Sequence, residues 1–233
     1  MPLPEIIGLM PMGGNGTRLG MPFPKPLAPT ITESGIVPLY HHTLGELRKV
    51  TERIFAIVNS TTDGCLLRSL DEEFVETLWV EAPALPGALG KAGKMLAAEF
   101  GKDALIATVL PDAIWRCNRD RGLADVVAAR KEDGALALFM AASDELDEVF
   151  CREDRVTEVV TKRPNGGLGM VRGWGAFVVR AGALATFTDA EKDGPQLGKL
   201  KMGWAFLGNY VDLGTPERYI KWHDTRREHA GEG

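Results

Sequence analysis

The sequence predicts an α/β fold whose sheet is mixed and mainly parallel. Short apolar runs typical of strands alternate with longer segments of helical spacing, the repeat that builds such sheets. Several of the strand-like runs are almost continuously apolar, as expected where helices cover both faces of a parallel sheet. The strand-like runs are EIIGLM, RIFAIVNS, TLWVEA, DALIATVL, ALALFMA and GAFVVR, and the helical segments include PLYHHTLGELRKV, GKAGKMLAAEF and RGLADVVAARKEDG.

The second half of the chain changes character. The segment EVFCREDRVTEVVTKRPNGG, residues 148–167, alternates polar and apolar residues and ends in a turn signal. This pattern is typical of an antiparallel hairpin, so a mixed sheet is expected. Because the sequence contains neither a low-complexity linker nor an internal repeat, we expect a single domain over residues 1–233.

Composition limits the classes of protein that the chain can belong to. Its 233 residues are 45% hydrophobic, enough for a sizeable core, and the formal net charge of −5 argues against a nucleic-acid surface. Cys65, Cys117 and Cys151 stand far apart without a C-x-x-C pair, so neither a disulfide framework nor a zinc cluster is indicated. Without a signal peptide or a long apolar run, the sequence predicts a cytoplasmic protein with no membrane partner.

A glycine-rich stretch directly follows the first strand. It reads GLMPMGGNGTRLGMPFPKPLAP, residues 8–29, and lies where α/β proteins bind ligands, at the carboxyl edge of the sheet. Its glycines allow backbone N–H groups to approach a phosphate or a base, while Arg18 and Lys25 add positive charge. The prolines stiffen the loop by fixing φ. The stretch therefore predicts a loop that closes over a triphosphate.

Three other interpretations of this stretch compete. A dinucleotide fingerprint would need its third glycine earlier than Gly20 and an acidic residue at the end of a second strand about 20 residues on. A P-loop would need G-x-x-x-x-G-K-[ST], which is absent. The remaining alternative, a flexible turn with incidental charge, does not account for the arginine and the P-K-P sequence.

The stretch resembles the signature of the sugar-1-phosphate nucleotidylyltransferases, in which GGNGTRL is followed after a short gap by PKPL. Four further segments occur in the order of that family: LPDAIW, VVTKRP, GWGAFVV and YVDLGTPERY. The gap GMPF is shorter than in the hexose-1-phosphate branch and closer to cytidylyltransferase loops. The resemblance implies a Rossmann-like α/β/α sandwich of nucleotide-diphospho-sugar transferase type, without the C-terminal β-helix domain of some relatives.

The resemblance also implies an activity, the Mg²⁺-dependent transfer of NMP from an NTP to a sugar 1-phosphate with release of pyrophosphate. A phosphate monoester has a second pKa of about 6, so the acceptor is already an anionic nucleophile near neutral pH and needs no general base. Positioning and cations then supply the catalysis. The implied roles are catalytic for Arg18 and Lys25, metal-binding for Asp112 and Asp212, nucleotide-binding for Met12, Gly13, Gly14, Asn15, Gly16, Thr17, Gly87 and Gly90, and sugar-phosphate-binding for Lys162, Arg163, Gly173, Trp174 and Gly175.

Several of these residues have a structural alternative. Asp112 alone could be a turn residue after Pro111, and the segment after Asp212 predicts a helix capped by Thr215 with Pro216 first. Either Lys162 or Arg163 could be the phosphate-binding cation, because the Glu-Lys-Pro of the family stands here as TKRP.

The remaining predicted contacts also have bland alternatives. Gly87 and Gly90, expected to contact the nucleobase before a helix begins, could belong to an ordinary loop and helix. The ring of Trp174 could stack on a sugar or belong to the core.

Two other functions stay open at this point. One is a cytidylyltransferase that acts on another phosphorylated alcohol, which the GMPF gap and the TKRP segment favour. The other is a catalytically silent relative that senses nucleotide or sugar phosphate. The charged C-terminal helix has an apolar side that packs on the domain or on a partner subunit, so a homo-oligomer is compatible with the sequence.

Overall fold

The strands form one large sheet and one small hairpin. The structure is a computed structural model and describes residues 4–13, 20, 23–32, 35–117, 121–142, 146–161, 170–213 and 215–230. Its strands are β1 (Ile6–Pro11), β2 (Pro29–Thr32), β3 (Gly35–Pro38), β4 (Ile54–Val58), β5 (Glu76–Trp79), β6 (Leu105–Val109), β7 (Ala113–Cys117), β8 (Gly134–Ala142), β9 (Glu148–Arg152), β10 (Arg155–Val160), β11 (Met170–Arg180) and β12 (Met202–Asp212). Its helices are α1 (Tyr40–Arg48), α2 (Gly64–Glu72), α3 (Leu85–Phe100), α4 (Leu123–Ala128), α5 (Ala181–Leu184), α6 (Asp193–Gly198) and α7 (Pro216–Ala230).

The large sheet has the order β5-β4-β1-β6-β11-β8-β12-β7. Strands β5, β4, β1, β6, β8 and β12 run in one direction, and β11 and β7 run in the other. Strand β9 pairs with β11 and forms an antiparallel hairpin with β10. The predicted α/β fold, its mixed and mainly parallel sheet and its hairpin are thereby confirmed.

Helices pack on both faces of this sheet. The central strands β4 and β6 are buried at every residue, which explains their continuously apolar sequences. On β1, Ile7 and Leu9 face the core under α3, α5 and α6, whereas Met10 belongs to the core under α1, α2 and α4. Each large apolar side chain buried in this way stabilises the fold by about 1.5–3 kcal/mol. Because alternate side chains of β1 belong to two cores, the sheet lies between two layers of helices and the fold is a three-layer sandwich.

The β2–β3 hairpin and helix α2 are among the elements that the sequence patterns did not predict. The β2–β3 hairpin has strands of only four residues, too short to show a clear period of two. Helix α2 begins after Asp63, whose side chain accepts a hydrogen bond of 2.7 Å from the N–H of Cys65. Its first residue is Gly64, and because glycine is a poor helix former, the sequence does not indicate where this helix begins.

Helix α3 approaches its neighbouring segment through a row of glycines. A Cβ atom at Gly90 would lie 2.0 Å from the carbonyl oxygen of Phe187, and one at Gly93 would lie 2.6 Å from the nitrogen of Ala185. Both nearest atoms belong to the backbone and cannot rotate away. The glycines therefore set the distance between α3 and the chain that follows α5.

Among the described residues, none of the helices has the length and apolar composition that crossing a membrane requires.

We expect Gly90→Ala to lower the free energy of unfolding by about 1–3 kcal/mol, because the new methyl group overpacks against backbone. Gly45→Ala in α1 is the matched control, since a Cβ there would meet no heavy atom within 4 Å. That variant should keep or raise stability, as alanine favours a helix by about 0.5–1 kcal/mol over glycine. Urea unfolding measures both variants. Equal stability of Gly90→Ala and the control would contradict the packing described for α3.

Candidate active site

Two strand ends bring Asp112 and Asp212 together. Strand β12 ends at Asp212, and its antiparallel neighbour β7 begins at Ala113. These two residues are partners in the strand register. Asp112, one residue before Ala113, therefore lies beside Asp212 although 100 residues separate them in the sequence. We call these two side chains the carboxylate pair.

A buried lysine joins the carboxylate pair. Lys25 begins a single turn of 3₁₀ helix, Lys25–Leu27, and is only 6% exposed. Its Nζ atom donates to Oδ2 of Asp112 at 2.8 Å and to Oδ1 of Asp212 at 3.3 Å. Three residues that the sequence singled out from separate segments thus meet at one point. The roles assigned to them remain predictions.

Arg218 also contacts the carboxylate pair. Its Nη1 atom donates to Oδ2 of Asp212 at 3.2 Å, so the two oxygens of Asp212 contact different cations. Arg218 lies in the first turn of α7, where its N–H donates to Oγ1 of Thr215 at 3.4 Å. This bond confirms the predicted cap at Thr215, and Pro216 is the first residue of the helix as expected.

A small apolar cluster supports these polar groups. Ala28 follows the Lys25 turn, Ile114 follows Asp112 by two residues, and Leu213 is next to Asp212. Leu39, directly before α1, and Trp222, in α7, also belong to the cluster. All five residues are at most 4% exposed. Because each segment that carries a charged group also contributes an apolar anchor, packing holds the charged groups in register.

The carboxylate pair has the chemistry of a magnesium site. Magnesium commonly takes one or two protein carboxylates and completes its coordination with phosphate oxygens and water. Here two carboxylate oxygens already face one cation, the ammonium of Lys25. Within the described ranges, no group of three or more His, Cys, Asp or Glu side chains could hold a metal. The donor set therefore fits a metal that arrives with a polyphosphate.

The glycine-rich loop begins beside the end of β4. Met12 is 2% exposed, and its N–H donates to the carbonyl oxygen of Ile57 at 2.8 Å, so its side chain belongs to the core. The Asn59 side chain donates through Nδ2 to the carbonyl oxygen of Gly13 at 2.8 Å. A Cβ at Gly13 would lie 2.9 Å from that nitrogen, so glycine allows the close contact.

Several predicted site residues lie outside the described residues. They are Gly14, Asn15, Gly16, Thr17 and Arg18 in the glycine-rich loop, and Lys162 and Arg163 in the TKRP segment.

The predicted position of Gly87 and Gly90 before a helix is wrong. Helix α3 begins at Leu85, so both glycines lie inside its first two turns. The N–H of Gly87 donates to Oδ1 of Asp189 at 2.9 Å, and Gly90 faces Phe187. Proline at the second helical position accounts for the early beginning, because its fixed φ suits the first turn of a helix. Contact of these glycines with a nucleobase stays a prediction.

Trp174 belongs to the core, the second of its two predicted roles. Its side chain packs edge-on against Phe177, with 5.8 Å between ring centroids, and the residue is 5% exposed. A ring that stacks on a sugar must be open to the ligand, so the stacking role does not fit this burial. The glycines on either side permit packing: a Cβ at Gly173 would lie 2.4 Å from Cβ of Leu146, and one at Gly175 would lie 2.7 Å from the ring of Tyr210.

Two residues of this region, Arg218 and Asn59, were not among the predicted site residues. Arg218 resembles any charged residue of a surface helix, and only its contact with Asp212 distinguishes it. Asn59 follows the apolar strand β4, and a polar residue directly after a buried strand at the carboxyl edge is the signal that could have found it.

The structure resembles solved nucleotidyltransferases over nearly its whole length. A Bacillus anthracis protein described as a glucose-1-phosphate thymidylyltransferase, solved with a sucrose, is 18% identical with a TM-score of 0.73 and 95% of both chains covered. A UTP-bound UGPase from Acinetobacter baumannii is 15% identical with a TM-score of 0.67, covering 94% of this chain and 92% of that one. The inositol-1-phosphate CTP transferase from T. maritima is 18% identical with a TM-score of 0.64, covering 92% and 91%.

The chain has the fold of these proteins. The sequence itself matches no protein-family model and none of the curated proteins. At 15–18% identity the likeness establishes the fold, which is the one that the sequence resemblance implied.

Cys65 is exposed, whereas Cys117 and Cys151 are partly buried, so alkylation should distinguish Cys65 from the other two cysteines. Partial burial, together with the charge of Glu46, raises the pKa of the Cys117 thiol to about 11. Because the thiolate is the reactive form, iodoacetamide at pH 8 should modify Cys65 first and Cys117 far more slowly. Mass spectrometry of the peptides measures the order. Cys65→Ser should remove the fast phase, and rapid labelling of Cys117 in the folded protein would contradict its burial.

Proposed function

We propose that this chain is a nucleotidylyltransferase that transfers NMP from an NTP to a sugar 1-phosphate and releases pyrophosphate. The observation that carries the proposal is the position of the Lys25 ammonium between the carboxylates of Asp112 and Asp212. These groups lie at the carboxyl edge of the sheet, where α/β proteins bind ligands. The fold shared with nucleotidyltransferases supports the same reaction class.

The reaction joins two anions and needs cations at the reacting phosphorus. An oxygen of the acceptor phosphate attacks the α-phosphorus of the NTP, the bond to the bridging oxygen of the β-phosphate breaks, and pyrophosphate leaves. Lys25 and Arg18 stabilise the charge that develops on the α-phosphate and on the leaving group. Magnesium, when held by the carboxylate pair, supplies further neutralisation of phosphate charge.

The protein groups around the carboxylate pair hold the reacting groups in position and do not abstract protons. The acceptor phosphate is anionic near neutral pH, so the transfer needs no general base. Arg218 holds Oδ2 of Asp212 and thereby fixes the direction of Oδ1. Lys162 or Arg163 anchors the acceptor phosphate, and Gly13 and the other residues of the glycine-rich loop bind the nucleotide.

A second candidate is a cytidylyltransferase that acts on another phosphorylated alcohol. The GMPF gap is closer to cytidylyltransferase loops, and the TKRP segment departs from the hexose pattern in its sugar contact. The fold is also similar to that of an inositol-1-phosphate CTP transferase. The acceptor therefore distinguishes the two candidates, whereas the chemistry at phosphorus is the same.

The first experiment measures pyrophosphate release with Mg²⁺ across four or five NTPs and a panel of sugar 1-phosphates, with inositol 1-phosphate and other phosphorylated alcohols included. One productive pair with a sugar 1-phosphate supports the first candidate, and CTP with a non-sugar phosphate supports the second. EDTA should abolish the release, and excess Mg²⁺ should restore it. NTP binding without turnover over any acceptor would contradict both candidates and favour a sensing role.

Lys25→Ala should lower the rate of transfer by about 100-fold or more, because it removes a charge that stabilises the transition state. Lys49→Ala is the control, since that lysine directly follows α1, its side chain is 61% exposed and it pairs with Glu46. The control should keep the rate of the unchanged protein. Steady-state kinetics with the productive pair decide the question, and near-normal activity of Lys25→Ala would exclude the proposed role.

A further inference from the structure

Lys25 occupies the position that a cation between the two carboxylates would take. Its Nζ atom lies within hydrogen-bond distance of one oxygen from Asp112 and one from Asp212, so both oxygens face the same point. Because Arg218 contacts the second oxygen of Asp212, a divalent ion held by both carboxylates would meet the Lys25 ammonium at the first oxygen of Asp212. The ammonium and such a metal therefore compete for one place.

We propose that Lys25 is an internal counter-ion that keeps the carboxylate pair from binding free divalent metal until a nucleotide draws the ammonium away. The inference rests on the proposed function, since it takes the carboxylate pair as the metal site. It adds an order to that function: metal and nucleotide bind together, and metal alone binds weakly.

The charges of the contacting groups support this exclusion. In the contacts between described residues, Asp112 and Asp212 contribute −2 and Lys25 and Arg218 contribute +2, so the charges of these four side chains sum to zero without a metal. A divalent ion beside Lys25 would leave an excess of two positive charges within a few ångströms, where charges repel strongly. The metal must displace the ammonium, or it must arrive with negative charge of its own.

Burial explains why Lys25 stays on the carboxylates when no ligand is bound. Its side chain is 7% exposed, and a buried ammonium without a partner is strongly unfavourable. The side chains of Asp112 and Asp212 are more open, at 32% and 18% exposed, so they can exchange one cation for another. A triphosphate offers the ammonium another negatively charged acceptor, so the ammonium no longer needs the carboxylates as its partners.

The lysine side chain is suited to such a change of partner. It carries a compact point charge on a flexible four-carbon stem, whereas arginine has a planar group that prefers fixed bidentate contacts. The backbone of Lys25 is held by the turn Lys25–Leu27, in which the N–H of Ala28 donates to the carbonyl oxygen of Lys25. The ammonium can therefore move between the carboxylates and a phosphate while the backbone stays in place.

The test measures Mn²⁺ affinity without nucleotide, by electron paramagnetic resonance, in the unchanged protein and in Lys25→Met. Removing the competing ammonium should tighten Mn²⁺ binding roughly tenfold or more, since one nearby positive charge is lost. Lys49→Met is the matched control, because it removes one positive charge from an exposed site, and its affinity should not change. Adding Asp112→Asn to Lys25→Met should abolish the gain. Unchanged or weaker binding in Lys25→Met would overturn the proposal.

A second measurement uses the unchanged protein and covers the case in which Lys25→Met fails to fold. Acetylation of Lys25, followed by mass spectrometry, reports whether the ammonium is held between the carboxylates. Mg²⁺ at concentrations high enough to occupy the carboxylate pair without nucleotide should displace the ammonium and accelerate acetylation of Lys25, and it should leave the exposed Lys199 unaffected. Metal that occupies the pair without changing the acetylation rate of Lys25 would contradict competition for one place.

These binding measurements are independent of turnover. If pyrophosphate release occurs but Mn²⁺ affinity does not rise in Lys25→Met, the counter-ion proposal fails and the proposed function stands. If Mn²⁺ affinity rises but no pair of substrates reacts, the proposed function fails while the competition at the carboxylate pair is supported.

Discussion

A buried ammonium group requires negative charge beside it, and the organisation of the site follows from this requirement at Lys25. The charge is supplied by Asp112, directly before β7, and by Asp212 at the end of β12. Neither carboxylate could do so unless β7 and β12 paired in the observed register, with Asp212 opposite Ala113. The hydrogen bonding between β7 and β12 thus brings the two carboxylates to the buried ammonium of Lys25.

Apolar packing fixes the positions of the segments that carry these charged groups. The segments that carry Lys25, Asp112 and Asp212 each place a side chain in the cluster of Ala28, Ile114 and Leu213, and Trp222 of α7 closes it. Long charged side chains lose conformational freedom when they are held in one geometry. Because packing already anchors the backbone segments, the polar contacts need to offset a smaller loss of conformational entropy. Stability and site geometry therefore depend on the same residues.

The fold fits several substrates, so it limits the reaction class more than the ligands. Solved proteins with this fold include one bound to UTP, one solved with a sucrose and one that is an inositol-1-phosphate CTP transferase. A transfer at phosphorus needs the same cations in every case, whereas the choice of base and acceptor depends on a few local hydrogen bonds. In the proposed function, the carboxylate pair and Lys25 supply that common part of the site.

The sequence by itself determined the α/β class, the mixed sheet, the β9–β10 hairpin and the residues Lys25, Asp112 and Asp212. Hydrophobic periodicity and residue type are local properties, and the sequence displays them directly. The tertiary structure decided which of these residues meet. The contact of Arg218 with Asp212, the burial of Trp174 and the position of Gly87 inside α3 all depend on partners distant in the chain. Local patterns do not encode such distances, because strand register and helix packing set them.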